Sequence, residues 1–371
     1  MYHSFVSGRL SFAAWVCAGL LPISAGAQTI PNTLGWHELA NTRIRPLCPS
    51  ILTFEYGSCS AVTNAWGGAV LDAVRNRLYI LGGGHADYAG NEVYMLDLDS
   101  VQMSRVNEPS FPVRDGCLAG NQSMYADGRP VSRHTYSNIE YLPAIDRILL
   151  FGGSRWQCGY FGDDTWLFDP GGDTWTRQIT SAQPTGTFNM GLTRDPQTQR
   201  VYGRSENLLY SFDASLGTWT QRSEEFSAGS YKNAVLDPVR RHYYWYVQGE
   251  TTLRWYDISN ASANNLQSQS RATSGCAAFM ADGDAGWQYD PVLDRLVAWT
   301  NGDNVYLLNP DTGACETRTF SNGPTAVEAG TFGRFRYIPS MNKYIVCNSI
   351  DANCHALVLG PANVFFSHGF E

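Results

Sequence analysis

One short pattern recurs six times along the 371-residue chain, and it restricts the possible fold more than any other feature. Each copy is an apolar strand, a turn often marked by Asp-Pro or by Pro alone, and a second apolar strand. The copies are AVLDAVRNRLYIL from Ala69, IEYLPAIDRILLF from Ile139, GLTRDPQTQRVYG from Gly191, AVLDPVRRHYYWY from Ala234, WQYDPVLDRLVAW from Trp287 and RFRYIPSMNKYIV from Arg334. A basic residue follows each turn: Arg77, Arg147, Arg200, Arg241, Arg295 and Lys343. A third strand then ends near Asp or Asn in VYMLDL, TWLFDP, LLYSFD, LRWYDI and VYLLNP, whereas the sixth, His355 to Leu359, lacks that residue. Trp175 and Trp219 mark fourth strands. Short apolar runs bounded by turn residues read as strands, and four-strand units repeating every ~40–50 residues read as propeller blades.

The fold expected is therefore all-β: a β-propeller of four-stranded blades, six of them, with seven as the alternative. A seventh would have to hide in the polar interval from Asn107 to Pro130, which reads better as a long loop over one face. A blade alone leaves an open edge, so Trp36-His37-Glu38-Leu39 is expected to complete the sixth blade as an N-terminal strand. Composition agrees, since 36 glycines, 13% aromatic and only 16% charged residues suit short strands and tight turns. A net charge of -8 without clustered Lys or Arg argues against a nucleic-acid partner.

Arg9, the apolar segment Leu10 to Ile23 and Ala25-Gly26-Ala27 read as a signal peptide over residues 1–27, too short for a comfortable membrane span. A single propeller domain is expected over 28–362, with a tail over 363–371. The protein is thus expected to be secreted or periplasmic, without membrane insertion. Eight cysteines remain after the leader, an even number that favours disulfides in an exported chain. Cys347 and Cys354 flank one hairpin loop and Cys48 and Cys59 another short segment. Cys117–Cys158 and Cys276–Cys315 are the expected remaining pairs. No structural zinc spacing is present. Asp163, Asp164, Asp282 and Asp284 could hold a structural calcium, but they lack the spaced order of a calcium loop, so no cofactor is expected. The sequence carries no oligomer signal.

LYILGGG with EVYMLDL, and ILLFGGS with DTWLFDPGGDTW, resemble kelch-type blades of the galactose-oxidase-like propellers, whose marks are the glycine pair and the later Trp. The tail VFFSHGFE resembles short tails ending in GFE on exported bacterial proteins. In a propeller, the loops entering the innermost strands share a face with those joining second and third strands. Asn64, Trp66, His134, Tyr136, Asn189, Tyr231, Lys232 and Arg334 fall in the first set; His85, Asp87, Tyr88, Arg155, Trp156, Arg204 and Gln248 fall in the second. His, Tyr and Arg from different blades therefore converge on one mouth. That set suits β-elimination from an acidic, uronate-containing polysaccharide: Arg neutralises the carboxylate, and His and Tyr move protons. It resembles the residue types of propeller-type polysaccharide lyases such as ulvan lyases. The resemblance implies His85 and His134, with Tyr136 or Tyr88, as proton-transfer groups and Arg155 or Arg204 as the carboxylate grip. The alternative is a non-catalytic propeller that binds a glycan or a protein through the same face.

Overall fold

The computed structural model describes Met1 and residues 28–50, 57–110, 123–156, 161–185, 188–205, 208–224 and 233–360. Six antiparallel sheets form a closed ring, one per sequence repeat. The first blade comprises Gly68–Asp72, Arg77–Leu81, Tyr94–Asp97 and Gln102–Arg105. The second is built on Ile139–Leu142, Arg147–Arg155, Phe161–Asp169 and Thr174–Gln178, with Arg133–His134 added beside the free end of its long second strand. The third, fourth and fifth blades follow the same order, and their innermost strands are Thr193–Arg194, Ala234–Asp237 and Gly286–Asp290.

The sixth blade has Phe335–Ile338, Lys343–Val346 and Cys354–Val358, and its outer strand comes from the other end of the chain, Gly35–Leu39. That strand pairs antiparallel from Gly35 opposite Val358 to Leu39 opposite Cys354. It closes the ring as expected, and the blade count is six.

The repeated turn has a physical cause. Asp72, Asp195, Asp237 and Asp290 each turn a carboxylate oxygen back onto backbone N–H groups two or three residues on, at 2.8–3.1 Å. This Asx geometry folds the chain without help from the partner strand. Two residues further on each turn passes through the left-handed region, at Asn76, Asp146, Gln199, Arg241, Asp294 and Asn342, with φ of 50–60°. The acidic residue or Asn at the end of the third strand works the same way: Asp97, Asp169, Asp213, Asp257 and Asn309 accept N–H bonds from the following turn. The sixth blade lacks it because there the chain makes no such turn, its fourth strand being the N-terminal one.

Apolar side chains pack in six clusters, one in each seam between neighbouring blades. Trp166, Trp219, Trp245, Trp287 and Trp299 are among the largest fully buried side chains. Ion pairs stitch the turns on one face. Arg75 binds Asp72 in its own turn and Asp146 in the next blade, and Arg240 binds Asp237, Asp294 and Asp311. Cys48–Cys59, Cys276–Cys315 and Cys347–Cys354 are disulfides, in keeping with an oxidising compartment. Cys117, Cys158, the leader and the tail beyond residue 360 lie outside the described residues. Among the described residues no helix is long and apolar enough to cross a membrane.

Candidate functional site

The opposite face carries the strand entrances. Counting six residues back from the residue that opens each first turn gives one residue per blade: Trp66, Tyr136, Asn189, Tyr231, Asp284 and Phe332. Backbone bonds join these positions around the ring. Tyr136 N–H donates to Trp66 O at 2.7 Å, and Thr331 and Phe332 N–H donate to Asp284 O at 2.9 and 3.2 Å.

The centre of the site is His134. Its Nε2 lies 2.8 Å from Asp87 Oδ2, and its Nδ1 lies 3.4 Å from the Tyr136 hydroxyl. The ring centroids of Trp66, His85 and Tyr136 lie 4.8, 5.6 and 5.7 Å from its own. His134 and Tyr136 are 5% and 3% exposed, while Trp66 is 36% exposed and His85 half-buried, so the pair forms the floor of a shallow mouth. Burial lowers the His134 pKa, opposed by the hydrogen bond and charge of Asp87, which favours a neutral imidazole at neutral pH.

Four bulky aromatic residues of this ring and its loop sit in the left-handed region. Trp66, His85, Tyr136 and Phe332 have φ of +46 to +48°. Bulky side chains seldom adopt that region, and such outliers persist where the surroundings force them, often at functional sites. Gly84 explains how His85 reaches its place: a Cβ there would lie 1.9 Å from the Arg133 Cα, so only glycine lets the loop settle on that strand. Residues 107–110 and 123–130 are tied to the same loop, with Asn91 bonded to Ser110 and Pro130 O and the Tyr125 hydroxyl to Ala89 O.

The structure does not bring every expected residue to this mouth. Tyr88 is 2% exposed and donates to Glu92 Oε1 at 2.9 Å, inside the first blade; burial and the neighbouring carboxylate push its phenol pKa far up. Arg155 is 2% exposed and opposite Arg133 in the ladder, on the side of the strand away from His134. Arg133 itself pairs with buried Asp164 at 2.8 Å. Burial raises the Asp164 pKa, but Arg133 and the Trp166 indole outweigh it and hold it below the usual carboxylate value. Arg204 is buried with its guanidinium 3.8 Å from the centre of the Trp245 ring. Arg334 is wholly buried; it donates to Gly67 O, Gly330 O and Asn348 Oδ1 and so ties the sixth blade to the first. Burial lowers its pKa to about 9.

Asn189 accepts from the N–H of Ser137 and of Gly191 as a seam tie, and Asn64 is exposed at the end of a short helix, Ala61–Asn64. Tyr231 and Lys232 lie outside the described residues. Among the described residues no group of three His, Cys, Asp or Glu is placed to hold a metal ion.

Sequence reasoning missed two mouth residues. Phe332 packs edge-on against Tyr136 at 5.4 Å, and Asp284, considered only for calcium, occupies the ring position of the fifth blade. The six-residue count back from each first turn reaches both.

The ring of six four-stranded sheets makes this chain a six-bladed β-propeller, with an Asp–His–Tyr chain at the floor of one mouth. No protein-family profile matches the sequence, and no curated protein matches it. Among solved structures, the chain is similar to an auxiliary nutrient binding protein from Bacteroides ovatus ATCC 8483, at 12% identity and a TM-score of 0.49, over 79% of this chain and 69% of that one.

Proposed function

We propose that this propeller is an exported carbohydrate-active enzyme that cleaves an acidic, uronate-containing glycan by β-elimination. The observation that carries the reading is His134 held between Asp87 and Tyr136. A carboxylate only accepts, so Asp87 keeps the imidazole proton on Nε2 and leaves the Nδ1 lone pair facing the Tyr136 hydroxyl. A neutral imidazole beside a phenol is a proton relay: Tyr136 takes the proton next to the sugar carboxylate while His134 accepts the phenol's own. His85, beside His134, is the donor that meets the carboxylate, in place of Arg155 or Arg204, whose side chains are buried in the blades. Trp66 offers a partly exposed indole face to a sugar ring.

The test is a panel of acidic glycans followed by the ultraviolet absorbance of an unsaturated uronate. Growth of that absorbance, reduced by roughly a hundredfold to ten-thousandfold in His134→Ala and Tyr136→Phe, is the expected result. New reducing ends without it indicate hydrolysis and overturn the elimination chemistry. Silence on every glycan, with binding that Trp66→Ala abolishes, assigns the face to a non-catalytic glycan-binding propeller instead.

A further inference from the structure

Asp284 shares the ring with Trp66 and Tyr136, yet the reading above gives it no task. Its Oδ1 is buried and has no hydrogen-bond partner among the described residues. The loop around it is built tightly. Its N–H donates to Asp282 Oδ1 at 2.8 Å, and its carbonyl accepts from Thr331 and Phe332. A Cβ on Gly330, at φ +87°, would lie 2.3 Å from the Asp284 Cβ, so glycine is required for the sixth blade to approach this closely. That approach seats Phe332 against Tyr136 and ties the Asp284 loop to the wall of the His134 site.

We propose that Asp284 is the general acid of the elimination, giving its proton to the glycosidic oxygen that departs while Tyr136, backed by His134, removes the proton beside the carboxylate. The inference rests on the β-elimination reading. The step balances: the C5–H bond breaks, its electron pair becomes the C4–C5 double bond, the C4–O bond breaks, and the leaving oxygen takes the Asp284 proton. One product chain ends in a hydroxyl and the other in an unsaturated uronate. Tyr136, having passed its own proton to His134 and taken the one from C5, is again a phenol. Proton exchange with water returns His134 to the neutral imidazole and Asp284 to the carboxylic acid.

The surroundings support a carboxyl that keeps its proton. Burial, then the charge of Asp282, raises the Asp284 pKa to about 7. The charged and titratable groups facing it are Asp282 on its own loop and Tyr246 from the fourth blade, whose hydroxyl donates to Asp282 O. The packed segment of the sixth blade, Gly330, Thr331 and Phe332, brings none, and Arg334 at its end turns its guanidinium to Gly330 O, Gly67 O and Asn348. A group poised near the working pH is the most effective proton donor.

Leaving-group dependence tests the role. Asp284→Asn should lower kcat/KM on a uronate polymer by roughly a hundredfold to ten-thousandfold, yet change it little on a uronide whose 4-position carries a nitrophenoxy group, which departs without an acid. Asp284→Glu should recover part of the polymer rate with a shifted alkaline limb. An equal loss on both substrates, or none on the polymer, overturns the assignment of Asp284 even if His134→Ala abolishes elimination and the parent reading stands. A wild type that forms no unsaturated product overturns both. Should Asp284→Asn unfold, the wild-type profile decides: activity must fall as pH rises past about 7, and a flat alkaline limb refutes the role.

Discussion

Asp87→Asn is the most informative single change at this mouth. It keeps the side chain's size and removes its charge. The bond it weakens is 2.8 Å long and charge-assisted. Hydrogen bonds to charged groups contribute about 1.5–3 kcal/mol. The Asp87 side chain is 40% exposed, so water screens it and the lower end applies. The second effect is on the tautomer. An asparagine can turn its NH2 toward Nε2, which moves the imidazole proton to Nδ1 and points a donor at the Tyr136 hydroxyl. Together these lower kcat by about 10–100-fold, at roughly 1.4 kcal/mol per decade.

The direction with pH is fixed as well. Asp87 raises a pKa that burial lowers. Without it the His134 pKa falls further, and the acid limb of the rate profile moves to lower pH. Two measurements check this: kcat for the unsaturated product against pH, and the imidazole nitrogen shifts of His134 by NMR, which report the tautomer without substrate. If His134 keeps its proton on Nε2 in Asp87→Asn and kcat changes less than about twofold, the relay is refuted.

Two stability predictions follow from the turns and the disulfides. Arg240→Met strands the fully buried Asp237 carboxylate, which among the described residues retains the N–H bonds of its own turn, and should cost about 1.5–3 kcal/mol at pH 7 in urea unfolding. Arg240 holds Asp294 down to about 2, so that contribution is present above the ordinary carboxylate range and fades as pH falls toward 2; with Asp294 47% exposed it is under about 1 kcal/mol, and an unchanged urea midpoint in the variant would refute the network's role. Replacing Cys276 and Cys315 by serine opens a loop of sequence separation 39 and should lower stability by about 4 kcal/mol through chain entropy, read as a lower thermal midpoint that reductant shifts less than in the wild type, because Cys48–Cys59 and Cys347–Cys354 remain.

Much of the scaffold was legible because its rules are local. Asp72, Asp195, Asp237 and Asp290 turn the chain through bonds to residues two or three positions away, and such bonds leave a spacing that can be counted. The N-terminal strand Trp36–Leu39 was legible for a different reason: a blade with an open edge needs a strand from the other end of the chain. At the mouth, aligning the turns put Trp66, His134 and Tyr136 at strand entrances, and their rings lie side by side in the structure.

Which polar residues face that mouth was not countable. Arg155, Arg204 and Arg334 sit at suitable places in the repeat, but their directions are set by contacts far away in sequence: the ladder with Arg133, the ring of Trp245 and the carbonyl of Gly67. Tyr88 lies one residue from Asp87 yet turns inward to Glu92. The sequence by itself determined six blades, their closure and the residues available at each strand entrance, because period-two strands and self-contained turns depend on near neighbours. Only the tertiary structure decided that Asp87, His134 and Tyr136 form one chain of contacts, because seams between blades bring together residues whose separation along the chain carries no periodic signal.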